Sequence, residues 1–216
     1  MKRLIVYDLD GTLVDTAEDI TSAVNFMLTH FHHPPLHRAE VLRYVGQGLQ
    51  HLIKHCLAID DPQEIERGIN LYTAYYTDHL LDASALFPSA QALLDYFKDR
   101  KQAVITNKPN PYSCDILTGL GVADYFFEVI AGDSEYPNKP DPTAIRSLMA
   151  KHQINPKETL LIGDSLIDIQ TGRNAGVFTA ILTHGFSDAS ELASADPDVL
   201  VSHFEELMAL ARQHRW

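Results

Sequence analysis

Cysteine is scarce in this chain. Among 216 residues there are two, Cys56 and Cys114, far apart and without metal-type spacing. Two such thiols exclude a disulfide framework and predict a reducing compartment. Basic residues are few: 17 Lys and Arg stand against 29 Asp and Glu, a net charge of −12 with His neutral. That deficit argues against nucleic acid and against an anionic membrane surface as partners. It also repels anionic substrates, unless a metal and local basic side chains reverse the potential where they bind. Long apolar runs are missing. No stretch approaches the ~20 residues that cross a bilayer, and the basic Lys2-Arg3 meets Asp8 too soon for a signal peptide. There is no internal repeat and no low-complexity tract. The expectation is a cytoplasmic protein, monomer or homodimer. Its 45% hydrophobic and 21% charged content is ordinary globular usage, and its length fits one large domain or a core carrying a smaller insert.

What is present is concentrated first in residues 4 to 15, Leu-Ile-Val-Tyr-Asp-Leu-Asp-Gly-Thr-Leu-Val-Asp. Leu4 to Tyr7 reads as a buried strand. It ends in Asp8 and Asp10, two acids one residue apart, and Gly11 breaks the strand. Ligands of open α/β sheets bind beyond the carboxyl ends of strands. A pair of acids there suits a hard divalent cation held through oxygens. It also suits a nucleophile beside a proton donor.

Strand-like runs recur at Ala103–Thr106, Phe127–Ala131, Thr159–Ile162, Phe178–Leu182 and Val199–Val201. Helical patterns separate them at Ser89–Arg100, Pro111–Leu120, Pro142–His152 and Asp168–Ala175. Alternating strands and helices predict an α/β fold, a doubly wound, mostly parallel sheet covered on both faces. Residues 16 to 85 break this rhythm. They carry helical patterns at Ala17–Thr29, Arg38–Val45, Leu49–Ala58 and Pro62–Leu81 and no convincing strand. The expected organisation is a core of residues 1–15 and 86–216 with a helical cap, 16–85, inserted after the first strand. Linkers are expected near Val14–Ala17 and Asp82–Pro88. The segment His30–His37 holds four histidines. Imidazole is a common metal ligand, but Pro34 and Pro35 make the segment a loop between two cap helices.

Further polar residues follow other strands. Thr106-Asn107-Lys108 follows Ala103–Ile105, and Gly163-Asp164-Ser165 follows Leu160–Ile162. Asp168 lies four residues beyond Asp164, so a helix starting near Ser165 turns both to one side. Lys139 sits in a Pro-rich loop before a helix. Three acids, a hydroxyl and a lysine would then gather at one sheet edge.

Together these segments resemble the haloacid dehalogenase superfamily of phosphatases, over essentially the full chain and with four motifs in order. Asp8-Leu9-Asp10-Gly11-Thr12 matches the first motif, with Asp8 in the nucleophile place and Asp10 in the acid/base place. Thr106 matches the second, Lys139 the third, and Gly163-Asp164-Ser165-Leu166-Ile167-Asp168 the fourth. The helical insert falls at the superfamily's first cap position. Asp10 argues against the dehalogenases themselves and against phosphonatases, which carry Ala there and a lysine in the cap. Arg43-Tyr-Val-Gly-Gln-Gly48 and Ile105-Thr-Asn-Lys-Pro109 are similar to the phosphoglycolate phosphatase branch, although Gln47 stands where that branch often has Asn.

The resemblance implies a Mg²⁺-dependent phosphatase acting on a small phosphate monoester, 2-phosphoglycolate first, through an aspartyl-phosphate. Asp8, Asp10 (through its carbonyl) and Asp164 would ligate the metal. Asp10 would exchange the proton, which a neighbouring carboxylate would help it to hold. Thr106 and Lys139 would grip the phosphoryl oxygens, a kind of contact that contributes about 3 kcal/mol per well-placed donor. Gly11, Thr12 and Asn107, with the backbone N–H of Leu9, would line the phosphate site. Asp168 and Ser165 would support it. Gly46, Gln47 and Gly48 would read the leaving group, the glycines by allowing close backbone approach. Phosphosugar mutases, pyrophosphatases and nucleotidases share the scaffold, and receiver-type signalling modules share the grouping of acids, Thr and Lys.

Overall fold

The computed structural model describes residues 1–216. Its centre is a six-stranded, wholly parallel sheet of β1 (Leu4–Tyr7), β4 (Lys101–Ile105), β5 (Glu128–Ile130), β6 (Thr159–Gly163), β7 (Phe178–Leu182) and β8 (Val199–Val201), in the order β5-β4-β1-β6-β7-β8. β1 lies in the middle, with Tyr7 level with Val104 on one side and Ile162 on the other. Its side chains alternate between faces, yet all four are buried. Ile5 and Tyr7 join a core cluster with Val104, Leu160 and Ile162, while Leu4 and Val6 join another with Ala103, Ile105 and Leu161. A strand covered on both faces needs apolar residues at every position, which is why it reads as a continuous run.

The helices that cover the sheet are α5 (Ala90–Tyr96), α6 (Tyr112–Gly119), α7 (Thr143–His152), α8 (Leu166–Ala175), α9 (Ala189–Ser194) and α10 (Phe204–Gln213). α7 packs Ile145, Leu148 and Met149 on the Leu4–Val6 face. α5, α6 and α10 supply Leu93, Ile116 and Leu207 to the other. The sequence patterns overrun α5, because Ser89 stands at its start with φ +63 and the helix stops at Tyr96. They miss α9 and α10. α8 begins at Leu166, two residues before the expected start, because Ser165 caps it: its hydroxyl takes the Asp168 N–H.

Between β1 and α5 lie four helices, α1 (Ala17–His30), α2 (Arg38–Leu42), α3 (Leu49–Leu57) and α4 (Pro62–His79). α2 is shorter than the Arg38–Val45 pattern suggests. Gly46 and Gly48 follow it with φ +101 and +93, a backbone region in which a helix cannot continue. The His30–His37 loop is tied by Asn25, whose side chain bonds both backbone groups of Leu36; it forms no group of three metal-ligating side chains.

The two expected linkers are not loose. β2 (Val14–Asp15) and β3 (Ala85–Leu86) pair antiparallel, Val14 with Leu86 and Asp15 with Ala85. Asp19 of α1 adds a clamp, its carboxylate accepting the N–H groups of Ala83 and Ser84 and the Ser84 hydroxyl at 2.6 to 3.2 Å. Two-residue strands carry too little hydrophobic pattern to be recognised in the sequence.

Candidate active site

The carboxyl ends of β1 and β6 bring three of the sequence-predicted acids together, Asp8, Asp164 and Asp168. Asp8 is held at the end of β1 by its own N–H, which donates to Ile162 of β6 at 2.9 Å. Its Oδ1 accepts the Leu9 N–H at 2.8 Å and faces Lys139 Nζ at 2.8 Å. Lys139 also meets Asp168 Oδ1 at 2.7 Å. Burial opposes the lysine's charge, but Asp168 and Asp8 outweigh it and hold the ammonium above its ordinary range. Asp168 sits at the third position of α8, and its other oxygen takes the N–H groups of Asp164 and Ser165 and the Ser165 hydroxyl. Asp168 is fully buried and its hydrogen bonds fix Lys139 beside Asp8.

Asp164 precedes α8, so it meets Asp168 by the capping turn and not by helical spacing. The Thr12 hydroxyl donates to its Oδ1 at 2.6 Å and the Phe186 N–H to its Oδ2 at 2.9 Å. Two glycines leave room for it. A Cβ at Gly11 or Gly185 would come within 2.3 and 2.2 Å of Asp164 Oδ2. Thr12 is itself fully buried and its hydroxyl is taken up by Asp164. Thr12 and Gly11 therefore position the acid, contrary to the expectation that they line the phosphate site. Ser165 likewise serves Asp168, donating its hydroxyl to Oδ2 and accepting the Asp168 N–H.

Oxygens of Asp8, Asp164 and Asp168 all lie within 4.8 Å of one another. Burial raises Asp8 to about 6, with Asp168 adding to the rise and Lys139 opposing it. Burial, then Asp168 and Asp8, also push Asp164 well above the carboxylate range. Crowded, buried oxygens whose charges repel are a fitting donor set for a hard cation. Asp168 is tied to the Lys139 ammonium, whereas Asp164 is bonded only to neutral donors and Asp8 keeps one oxygen without a hydrogen bond, which makes Asp8 and Asp164 the side chains able to turn to a metal.

Asp10 points elsewhere. Its carboxylate accepts the Thr16 hydroxyl at 2.7 Å and pairs with Lys108 Nζ at 3.1 Å. Its partner is a cation and not the second acid expected from the sequence. The Asp10 carboxylate also stays outside the metal-type cluster. Lys108 in turn donates to the Tyr76 hydroxyl at 2.8 Å. Thr106 follows β4 and lies buried beside this pair; its Oγ1 accepts the Lys108 N–H, so its own proton stays available. Asn107 does more than line the site. Its amide donates to the carbonyls of Gly46 and Lys139 at 2.8 and 3.0 Å and accepts the Lys139 N–H at 2.8 Å. One side chain thus joins the α2–α3 loop to the loop that carries Lys139. The Leu9 N–H, expected to face phosphate, is bonded to Asp8.

Two cavities meet at Asp8 and Asp10. The inner one, a small space of about 50 Å³, lies between α1, α3, α4 and the loop after β4, and it reaches Thr106, Asn107, Gly46 and Gly48. The outer one is a wide cleft bordered by Gly46, Gln47, Arg43, Asp164 and Ser165. Gln47 is exposed and borders only the outer space. Space is not what Gly46 and Gly48 supply, since an added Cβ would meet its nearest atom at 3.6 and 3.5 Å; their positive φ is. The sequence reading did not single out Lys108, Tyr72 or Tyr76. Lys108 lies two residues from Thr106, and Tyr72 and Tyr76 sit four apart on α4, a spacing that also describes ordinary core packing.

Fold and site together define a parallel α/β enzyme with its acids at the carboxyl edge of the sheet and a helical insert above them. Residues 5–182 match the model of the haloacid dehalogenase-like hydrolases. The chain belongs to that family. Among curated relatives, the phosphoglycolate phosphatase of Yersinia pseudotuberculosis is 33% identical over 95% of this chain and 91% of its own length. That of Vibrio cholerae is 35% identical over 91% of each. Among solved structures, a predicted phosphoglycolate phosphatase from Haemophilus somnus superposes with a TM-score of 0.92 at 28% identity, covering 97% of this chain and 98% of that one.

Proposed function

We propose that this hydrolase is a Mg²⁺-dependent phosphatase of small phosphate monoesters, with 2-phosphoglycolate as its first substrate. The observation that carries the reading is Asp8: one carboxylate oxygen is held by Leu9 N–H and Lys139, and the other makes no hydrogen bond, in a space that also contains Asp10 and Thr106. The curated relatives' names supply the substrate.

The free oxygen of Asp8 attacks phosphorus. The bond from phosphorus to the ester oxygen breaks, and an aspartyl-phosphate forms. Asp10 gives its proton to the departing alkoxide and then takes one from the water that attacks the same phosphorus. Phosphate leaves and Asp8 is restored. Lys139 and the Thr106 hydroxyl hold phosphoryl oxygens and offset their charge. Asp8 and Asp164 would hold Mg²⁺, which when bound neutralises the repulsion between carboxylate and phosphate. Residues 16–85 act as a cap that receives the alcohol part of the ester, and residues 1–15 with 86–216 as the catalytic core.

The test is a panel of esters with Mg²⁺: 2-phosphoglycolate, pyrophosphate, nucleoside monophosphates and hexose phosphates, ranked by kcat/KM. Phosphoglycolate at the head is the expected result. A single-turnover burst without continued phosphate release would assign the chain to the signalling class, and isomerisation of a hexose phosphate to the mutases.

A further inference from the structure

We infer that Lys108, Tyr72 and Tyr76 form a subsite for a carboxylate on the alcohol part of the ester. This rests on the phosphatase reading above and names what that reading leaves open, namely which side chains recognise the leaving group.

Lys108 is the only cationic side chain lining the inner cavity. It is buried, and its ammonium has two partners, Asp10 and the Tyr76 hydroxyl. Both Asp10 oxygens accept from it, at 3.1 and 3.3 Å, so its three donors face three acceptors, and what it offers the cavity is its charge. The Tyr76 hydroxyl accepts from Lys108 and donates to nothing in the chain. Tyr72, one turn earlier on α4, stacks on Tyr76 with ring centroids 5.1 Å apart. Tyr72 is 3% exposed, and its hydroxyl makes no hydrogen bond. That hydroxyl is not sealed away. The only fully enclosed side-chain polar atoms without a partner are Arg100 Nε and His152 Nε2, so Tyr72 meets the cavity that it lines.

Two unused hydroxyl donors and a buried ammonium therefore border one space, next to the acid that handles the leaving oxygen. The phosphoryl end of the same space holds Asp8, Thr106 and Asn107, and the walls nearest the tyrosines include the apolar Ile20, Val45, Leu49 and Leu52. An apolar leaving group would leave the donors unpaired. A cationic group would be repelled by Lys108. A carboxylate, with two oxygens and only acceptor capacity, matches the two hydroxyls and the charge of Lys108. Selection by this subsite acts from α4 and the loop after β4, on the far side of the cavity from Gln47.

The test compares 2-phosphoglycolate with 2-hydroxyethyl phosphate, the same skeleton with a neutral alcohol in place of the acid. Wild type should prefer phosphoglycolate. The ratio of the two kcat/KM values should fall about tenfold in Tyr72→Phe, which removes one donor, and about a hundredfold in Lys108→Met, which removes the charge. Glycolate, the free acid product, should inhibit the wild type and lose most of that inhibition in both variants. Tyr72→Phe is the conservative arm should Lys108→Met fold poorly. An unchanged ratio in a folded Tyr72→Phe together with unchanged glycolate inhibition would overturn the inference. So would a wild type that accepts both esters equally, and in that outcome the phosphatase reading still stands. A wild type that hydrolyses no ester would fail that reading instead, and the subsite with it.

Discussion

Asp8 presents two unlike oxygens, one held and one free. In Asp8→Asn the attacking atom becomes an amide, a poor nucleophile and a poor metal ligand. Phosphate release should fall at least ~10³-fold while the circular dichroism spectrum is unchanged, after a check that the amide has not reverted to Asp. The same residue makes metal binding depend on pH. Burial raises Asp8 from 3.8 to about 6 and lifts Asp164 in the same direction. Raised carboxylates bind protons more tightly folded than unfolded, so their contribution to stability is full below about pH 4 and declines as pH rises through 6. A divalent cation offsets this decline once the acids are ionised. Mg²⁺ should therefore raise the Tm more at pH 7.5 than at pH 5, read by differential scanning fluorimetry in metal-free protein. Equal shifts at both pH values would show that the cation binds away from Asp8 and Asp164. At this scale the sequence was informative, because strand-end acids are visible in one dimension. The direction of Asp10 was not: its pairing with Lys108 spans 98 positions, and nothing local encodes it.

The loops after β6 and β7 operate as a unit around Asp164. Gly185 is packed against that carboxylate without an unusual backbone angle, so Gly185→Ala tests crowding alone. The added methyl should displace Asp164 and raise the Mg²⁺ concentration needed for half-maximal activity about tenfold, with little change in global stability. The α2–α3 loop calls for a different argument. Gly46→Val strains a backbone at φ +101 and shifts the carbonyl that Asn107 binds. It should lower kcat/KM for phosphoglycolate while sparing p-nitrophenyl phosphate, whereas Lys139→Ala should lower kcat for both esters. Parallel losses in the two variants would remove the loop from leaving-group recognition. Long elements with strong periodicity, such as β7 and α1, were legible within a residue of their ends. α9 and α10 passed unread although Asp188 and His203 cap them and Leu207 and Ala211 are buried. Their apolar positions are interleaved with acids and alanines, so no long apolar stripe announced them.

Across the whole molecule, one hydrophobic cluster runs from the sheet into the insert, joining Tyr7 and Leu9 to Ile20, Ile53 and Tyr76. The helical insert after the first strand was readable from the interruption of the strand–helix rhythm. The interior it shares with the sheet was not, because burial between distant segments depends on how they pack. The junction has a mechanical consequence. Both chain crossings are bound side by side in the β2–β3 ribbon, and Asp19 ties the return crossing to the first helix. A two-stranded ribbon resists stretching and sliding, since each breaks its ladder, and yields most easily to bending across its thin dimension. The insert is thus joined to the sheet through a flexure with one compliant direction.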